Sequence, residues 1–169
     1  MDEWESKIKA IVENTWNKDV NSLSGVPSWM LVLIKAVLKK TGREYLTDVW
    51  PNLEVFFHGG ISFEPYREQY KTLIPSNKMH YMETYNASEG FFGLQDDPTD
   101  SSLLMMPDYG IFYEFIPMNE VGNAHPTVLP LESVETGKNY AMVITTSGGL
   151  WRYQIGDTVR FTSLFPHKF

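Results

Sequence analysis

The sequence predicts a mixed α/β fold, a parallel β-α-β unit followed by a β-rich antiparallel portion. Three observations predict it. Apolar residues recur at helical spacing in two N-terminal stretches. An apolar run, a helical pattern and a second apolar run succeed one another across residues 53–85. Beyond residue 90, short apolar runs alternate with tight-turn signals.

Trp4, Ile8, Ile11, Val12 and Trp16 fall on one helical face, which predicts a helix over residues 3–17. Residues 21–28 are turn-rich, and Pro27 suits the first turn of a second helix ending before Gly42. Trp29, Leu31, Val32, Leu33, Ile34, Val37 and Leu38 make that helix apolar around most of its circumference, so it calls for burial on more than one side. Residues 53–57 read as a buried strand closed by Gly59-Gly60, residues 64–74 as a helix through Tyr66, Tyr70 and Leu73, and residues 79–85 as a second strand. Strand, helix and strand in that order make a parallel crossover.

Later strands are predicted at 91–95, 103–106, 111–116, 140–145, 150–153 and 159–162. Asp96-Asp97-Pro98, Pro107-Asp108-Tyr109-Gly110 and Ser147-Gly148-Gly149 punctuate them, and short sequential strands with tight turns pair antiparallel. Residues 117–130 form the longest expected loop. The chain is read as one partial domain, with an α/β segment at 1–90 and a β-rich segment at 91–169. It ends at Phe165-Pro166-His167-Lys168-Phe169, directly after a strand and without a polar tail, as a cut within a longer protein would leave it.

Composition sets the limits on function. A chain of 169 residues can bury a sizeable core, about 68–70% of its unfolded surface. It has no cysteine, which excludes disulfides, thiolate zinc sites and a cysteine nucleophile and makes a reducing cytoplasm the expected setting. The net charge is −7 and lysines and arginines are not clustered, so a nucleic-acid partner is not expected. The start Met1-Asp2-Glu3-Trp4-Glu5 is acidic where a signal peptide is basic, and the apolar stretch 29–37 is broken by Lys35 and too short for a membrane span.

Two motifs carry chemistry. Tyr85-Asn86-Ala87-Ser88-Glu89-Gly90 follows a predicted strand, where α/β folds place ligand loops. An aromatic ring can stack on a base, a serine hydroxyl can donate to phosphate, and a carboxylate can hold Mg²⁺ together with substrate phosphates. The same residues also read as turn formers, with Glu89 solvated and Tyr85 in the core, and spacing alone favours that reading. Trp151-Arg152-Tyr153-Gln154-Ile155-Gly156-Asp157 couples a strand to a Gly-Asp pair. An acidic residue at a strand end can accept hydrogen bonds from both hydroxyls of a ribose, yet Gly-Asp is also a common turn between strands. Gly59-Gly60 could expose bare backbone to a flat base, or simply turn the chain. The four histidines have no metal-like spacing, and Glu114 fits an exposed or a buried position equally.

Taken together, these stretches resemble the Gretchen Hagen three (auxin-responsive promoter) family of acyl acid–amido synthetases, within the acyl-adenylate-forming enzymes. The resemblance is carried by the Tyr85 motif with Ser88-Glu89-Gly90, and by Ser24-Gly25-Val26-Pro27-Ser28-Trp29, Trp50-Pro51-Asn52-Leu53 and Gly59-Gly60. Phe112-Tyr113-Glu114-Phe115-Ile116-Pro117 and the Trp151 motif complete it, all in the family's order. It implies part of a large N-terminal domain that binds ATP and Mg²⁺, activates a carboxylic acid as its acyl-adenylate and passes the acyl group to an amino acid. It further implies that Tyr85 stacks on adenine, Ser88 meets the α-phosphate, Glu89 binds Mg²⁺ and Asp157 holds the ribose. Gly59 and Gly60 line the base pocket, while Val26, Pro27 and Trp29 border the acyl pocket. The family's upstream Ser/Thr/Gly-rich phosphate loop and C-terminal lysine-bearing domain have no counterpart in these residues. The chain alone is therefore expected to be inactive and to self-associate through bare apolar faces. Two other readings stay open, a non-catalytic module binding a nucleotide or carboxylate and a thioester-forming acyl-CoA-type ligase.

Overall fold

The stripe of Trp4, Ile8 and Val12 folds as predicted, in α1 (Asp2–Thr15), and Pro27 and Gly42 bound α2 (Pro27–Thr41). A computed structural model describes residues 2–169; Met1 lies outside the described residues. The chain forms two units, Met1–Thr84 and Tyr85–Phe169, divided a few residues before the change of rhythm read at residue 90.

In the first unit, Pro27 occupies the opening turn of α2, where its missing N–H is no loss. Gly42 adopts φ 67° and donates its N–H to the Leu38 carbonyl, closing the helix as only glycine does at little cost. Leu31, Ile34, Val37 and Leu38 are buried, whereas Trp29 and Val32 stay about half exposed, so one side of this apolar helix is only partly covered among the described residues. Three parallel strands form the sheet: β1 (Ser22–Gly25), β2 (Val55–His58) and β3 (His80–Ala87). Leu23, Phe56 and Tyr81 share one row across it. The helix predicted at 64–74 begins as a 3₁₀ turn, Glu64–Tyr66, and continues as α3 (Arg67–Leu73), whose Tyr70 stacks on Phe56 with ring centroids 5.0 Å apart. Tyr70 is wholly buried, and its hydroxyl donates to the Pro27 carbonyl at 2.8 Å.

Strand β1 corrects the turn-rich reading of residues 21–28. Leu23 is the one large apolar side chain in Ser22-Leu23-Ser24-Gly25, so no periodicity marks the strand. Its backbone is extended because Val55 to His58 offer it a complete parallel ladder.

His58 ends β2 with 3% of its surface exposed and its ring stacked on Phe63 at 4.2 Å. Burial, then the charge of Arg67, lower its pKa to about 4, with Glu64 pulling the other way. The unfolded chain therefore binds this proton in a window where the folded one does not. Stability is present above about pH 6.5 and falls as pH drops toward 4, by roughly 3 kcal/mol in full. His58→Phe keeps the stacking and removes the titration. Denaturant midpoints of both proteins across this window should show the smaller acid loss in the variant, and identical losses would refute the assignment.

The second unit is antiparallel. One sheet runs β7 (Leu129–Pro130), β6 (Ile111–Pro117), β8 (Asn139–Thr146) and β9 (Tyr153–Arg160). Tyr113, Phe115, Tyr140, Met142 and Ile144 face its core, together with Phe92 from β4 (Gly90–Leu94), Met105 from β5 (Leu104–Met105) and Phe161. Two short strands, β10 (Ser163–Leu164) and β11 (His167–Lys168), form a hairpin, and Lys168 of β11 pairs with Leu104 of β5. Lys168 is also held by Asp96 at 2.7 Å and Asp100 at 3.1 Å. Among the described residues no helix is long and apolar enough to cross a membrane.

The strands predicted at 150–153 and 159–162 are corrected to one, β9, with Gly156 and Asp157 inside it. Opposite β9, Ala141 pairs with Thr158 and Val143 with Gln154, so Ile155, Gly156 and Asp157 all stand against the single residue Met142. This is a bulge, and Gly156 takes the φ of 93° that it requires.

Candidate functional site

The bulge throws Asp157 out of the β9 ladder, and Tyr85 meets it. Tyr85 lies near the end of β3, its ring against Phe92 at 4.9 Å and edge-on to Phe169 at 6.0 Å. Its hydroxyl donates to Asp157 Oδ2 at 2.5 Å. Burial raises the Tyr85 pKa, helped by the hydrogen bond and charge of Asp157 and then by Glu89 and Tyr113, so the phenol keeps its proton and acts only as a donor toward that carboxylate. Beside this pair opens a cavity of about 510 Å³, lined by Tyr85, Gly156, Asp157, Thr158, Val159 and Phe169. An exposed carboxylate with its second oxygen unclaimed by Tyr85, next to aromatic surface, suits a ligand with vicinal hydroxyls and a flat ring.

Tyr85-Asn86-Ala87 extend β3, which makes the expected loop much shorter. The chain turns at Ser88-Glu89 and re-enters the sheet at Gly90. A Cβ at Gly90 would lie 2.5 Å from Ile111 Cδ1 and 3.1 Å from Phe92 Cε1, so a larger residue there would require the end of the Ile111 side chain to move. Ser88 is exposed and Glu89 half-buried, close enough to Tyr85 to act on its ionisation. Among the described residues no group of three or more His, Cys, Asp or Glu could hold a metal. Mg²⁺ keeps most of its waters and commonly takes one or two protein carboxylates plus phosphates. Glu89 alone thus fits a metal that arrives with a nucleotide, and does not fit a resident ion.

In the first unit, Val26, Pro27, Gly59 and Gly60 gather at the carboxyl ends of β1 and β2, the end of a parallel sheet where ligands bind. Gly60 has φ 80°, and a Cβ there would touch Val26 Cγ2 at 3.5 Å. Gly59 is buried and Pro27 gives its carbonyl to Tyr70. The Trp29 ring is turned to α1, where it meets Trp4 edge-on at 4.5 Å.

Sequence reasoning missed Thr158 and Phe169 as walls of the Asp157 cavity. It also left Glu114 undecided; that carboxylate accepts a hydrogen bond from Arg152 Nε at 3.0 Å. Phe169 carried no signal, because an aromatic residue after a short strand reads as ordinary packing.

Residues 1–79 match the GH3 family N-terminal domain and residues 104–169 the GH3 family central domain. The chain is 31% identical over 166 residues to indole-3-acetic acid-amido synthetase GH3.4 of Arabidopsis thaliana, a match covering 92% of this chain and 26% of that protein. Its fold is similar to that of AtGH3.15 acyl acid amido synthetase in complex with 2,4-DB, with a TM-score of 0.70 at 17% identity, covering 98% of this chain and 37% of the other. It is similar also to 2-hydroxyisobutyryl-CoA ligase in complex with 2-HIB-AMP and CoA, with a TM-score of 0.62 at 14% identity, covering 92% of this chain and 34% of the other. The chain thus spans about a quarter of the curated relative's length. With β1, β2 and α3 inside the first matched segment and the Asp157 bulge inside the second, the chain belongs to the GH3 family, of which it carries N-terminal-domain and central-domain sequence.

Proposed function

We propose that this chain supplies the nucleotide-binding part of an ATP-dependent ligase that activates a carboxylic acid as its acyl-adenylate and transfers the acyl group to an amino acid. The observation that carries the proposal is the Tyr85–Asp157 pair beside its cavity. In this reading Asp157 accepts the ribose hydroxyls, the Tyr85 ring lies along the adenine and Tyr85's own hydroxyl steadies the carboxylate. Ser88, exposed in the hairpin turn, donates to the α-phosphate, and Glu89 holds the Mg²⁺ that comes with ATP. Bound ATP and Mg²⁺ supply the electrophilic phosphorus and the neutralising charge. Gly59 and Gly60 border the base and Val26, Pro27 and Trp29 the acyl group. The similarity to an indole-3-acetic acid-amido synthetase supports an acid substrate and an amino-acid acceptor. The proposed setting is the cytoplasm, where ATP is supplied. The exposed Trp4, Trp29 and Val32 support self-association.

AMP and 2′,3′-dideoxy-AMP separate this reading from a generic anion site. AMP should bind at least about tenfold more tightly, since only it offers hydroxyls to Asp157; equal affinities would remove the ribose role. The chain by itself should give no carboxylate-dependent ATP–pyrophosphate exchange. None of its segments is a glycine-rich grip for the outer phosphates, and neutralising phosphate charge is most of what such catalysis requires. Clear exchange above the enzyme-free blank would defeat that expectation.

A further inference from the structure

The outward face of β6, β8 and β9 carries a second feature, independent of the nucleotide reading. Strand alternation sends Phe112, Glu114 and Ile116 of β6 away from the core, in register with Thr145, Val143 and Ala141 of β8. Ile116, Ala141 and Val143 form a small buried cluster with Val128 packed on it, separate from the main core. Above it lies a cavity of about 520 Å³, with Ile116, Val128 and Val143 as apolar floor and Arg152, His125 and Gln154 as polar lining. The lining includes no acidic side chain, on a chain whose net charge is −7.

Arg152 is held in an unusual posture. Its φ is 46°, a left-handed conformation that a residue with a Cβ adopts at a cost, and it is the one non-glycine with positive φ among the described residues. Two bonds fix it there: its backbone N–H donates to Thr145 Oγ1 at 3.0 Å, and Nε donates to Glu114 Oε2 at 3.0 Å. Glu114 is largely covered, whereas the Arg152 side chain is 62% exposed. The buttress engages Nε, and the two terminal nitrogens of this cavity-lining guanidinium remain for a further acceptor, a fork that matches a carboxylate.

We infer that this cavity binds a small organic carboxylate with an apolar body, its carboxylate on Arg152 and its body on Ile116, Val128 and Val143. A volume of this size is typical of small-molecule sites with an apolar floor and few polar groups. Backbone and methyl NMR shifts of the 169-residue chain, titrated with phenylacetate, test the inference directly. Saturable shifts are expected at Val128, Val143 and Arg152, with a Kd on the order of 1 mM. Arg152→Gln should weaken binding about tenfold, with a cooperative thermal melt showing that the variant is folded. Arg152→Gly is the second variant, because glycine accepts the left-handed backbone and keeps the fold even if glutamine does not. Its loss of binding must match. Shifts of equal affinity with the neutral isostere phenylacetamide would reveal only an apolar crevice and overturn the inference. So would equal affinity for inorganic phosphate, unchanged binding in a folded Arg152 variant, or no saturation by about 10 mM phenylacetate.

Discussion

Asp157→Asn should lower the affinity of the chain for AMP about a hundredfold. The carboxylate leaves the β9 ladder through the bulge and keeps one oxygen free of Tyr85. Two ribose hydroxyls donating to an ionised acceptor are worth roughly 1.5–3 kcal/mol each at the upper end, and asparagine preserves shape while removing the charge and one acceptor. A combined loss of about 3 kcal/mol is the expected factor of a hundred. Calorimetric titration with AMP reads it directly. Asp157 is exposed, so the substitution should leave the fold intact, and an unchanged thermal melt serves as the control. A loss below about threefold would show that the ribose is held elsewhere.

Trp50→Ala should be the most damaging single change to the first unit. Trp50 is 1% exposed and its Nε1 donates to the Thr15 carbonyl at 3.1 Å, an acceptor at the end of α1 that it shares with the Lys18 N–H at 3.0 Å. Emptying the site costs about 3–5 kcal/mol as transfer and cavity energy, and losing the indole hydrogen bond about 1 kcal/mol more. Against a total stability of roughly 5–15 kcal/mol this is a large fraction. Amide exchange at Ile34 and Phe56, both wholly buried, should accelerate accordingly. Trp50→Phe, which keeps most of the ring volume, should lose less than half as much. Exchange rates within a factor of about five of the parent in Trp50→Ala would contradict this placement of the core.

The helices were legible because their information is local. The stripe from Trp4 to Val12 repeats at helical spacing, and Pro27 and Gly42 mark the two ends of α2 with backbone chemistry of their own. The short strand Ser22–Gly25 was not, since its conformation depends on the ladder offered by Val55–His58 and not on its own side chains. Gly156-Asp157 misled for a similar reason: the pair has the composition of a turn, and only the pairing of Ala141 and Val143 reveals that β9 continues through it. Family resemblance singled out Tyr85 and Asp157, but their meeting across 72 positions of sequence is a property of the fold. The burial of His58 and the posture of Arg152 had no sequence signal, because both depend on what the neighbouring strands enclose.

The bulge in β9 has one more consequence. Gln154 and Thr158 both point to the outward side, so the extra residues between them number two and side-chain parity is the same before and after the interruption. Excising Gly156 and Asp157 together would let Ile155 alone stand opposite Met142 and give an unbroken ladder with no side chain inverted. The register on either side, in other words, does not depend on this dipeptide, and a shortened β9 would keep its facing while losing the carboxylate that meets Tyr85.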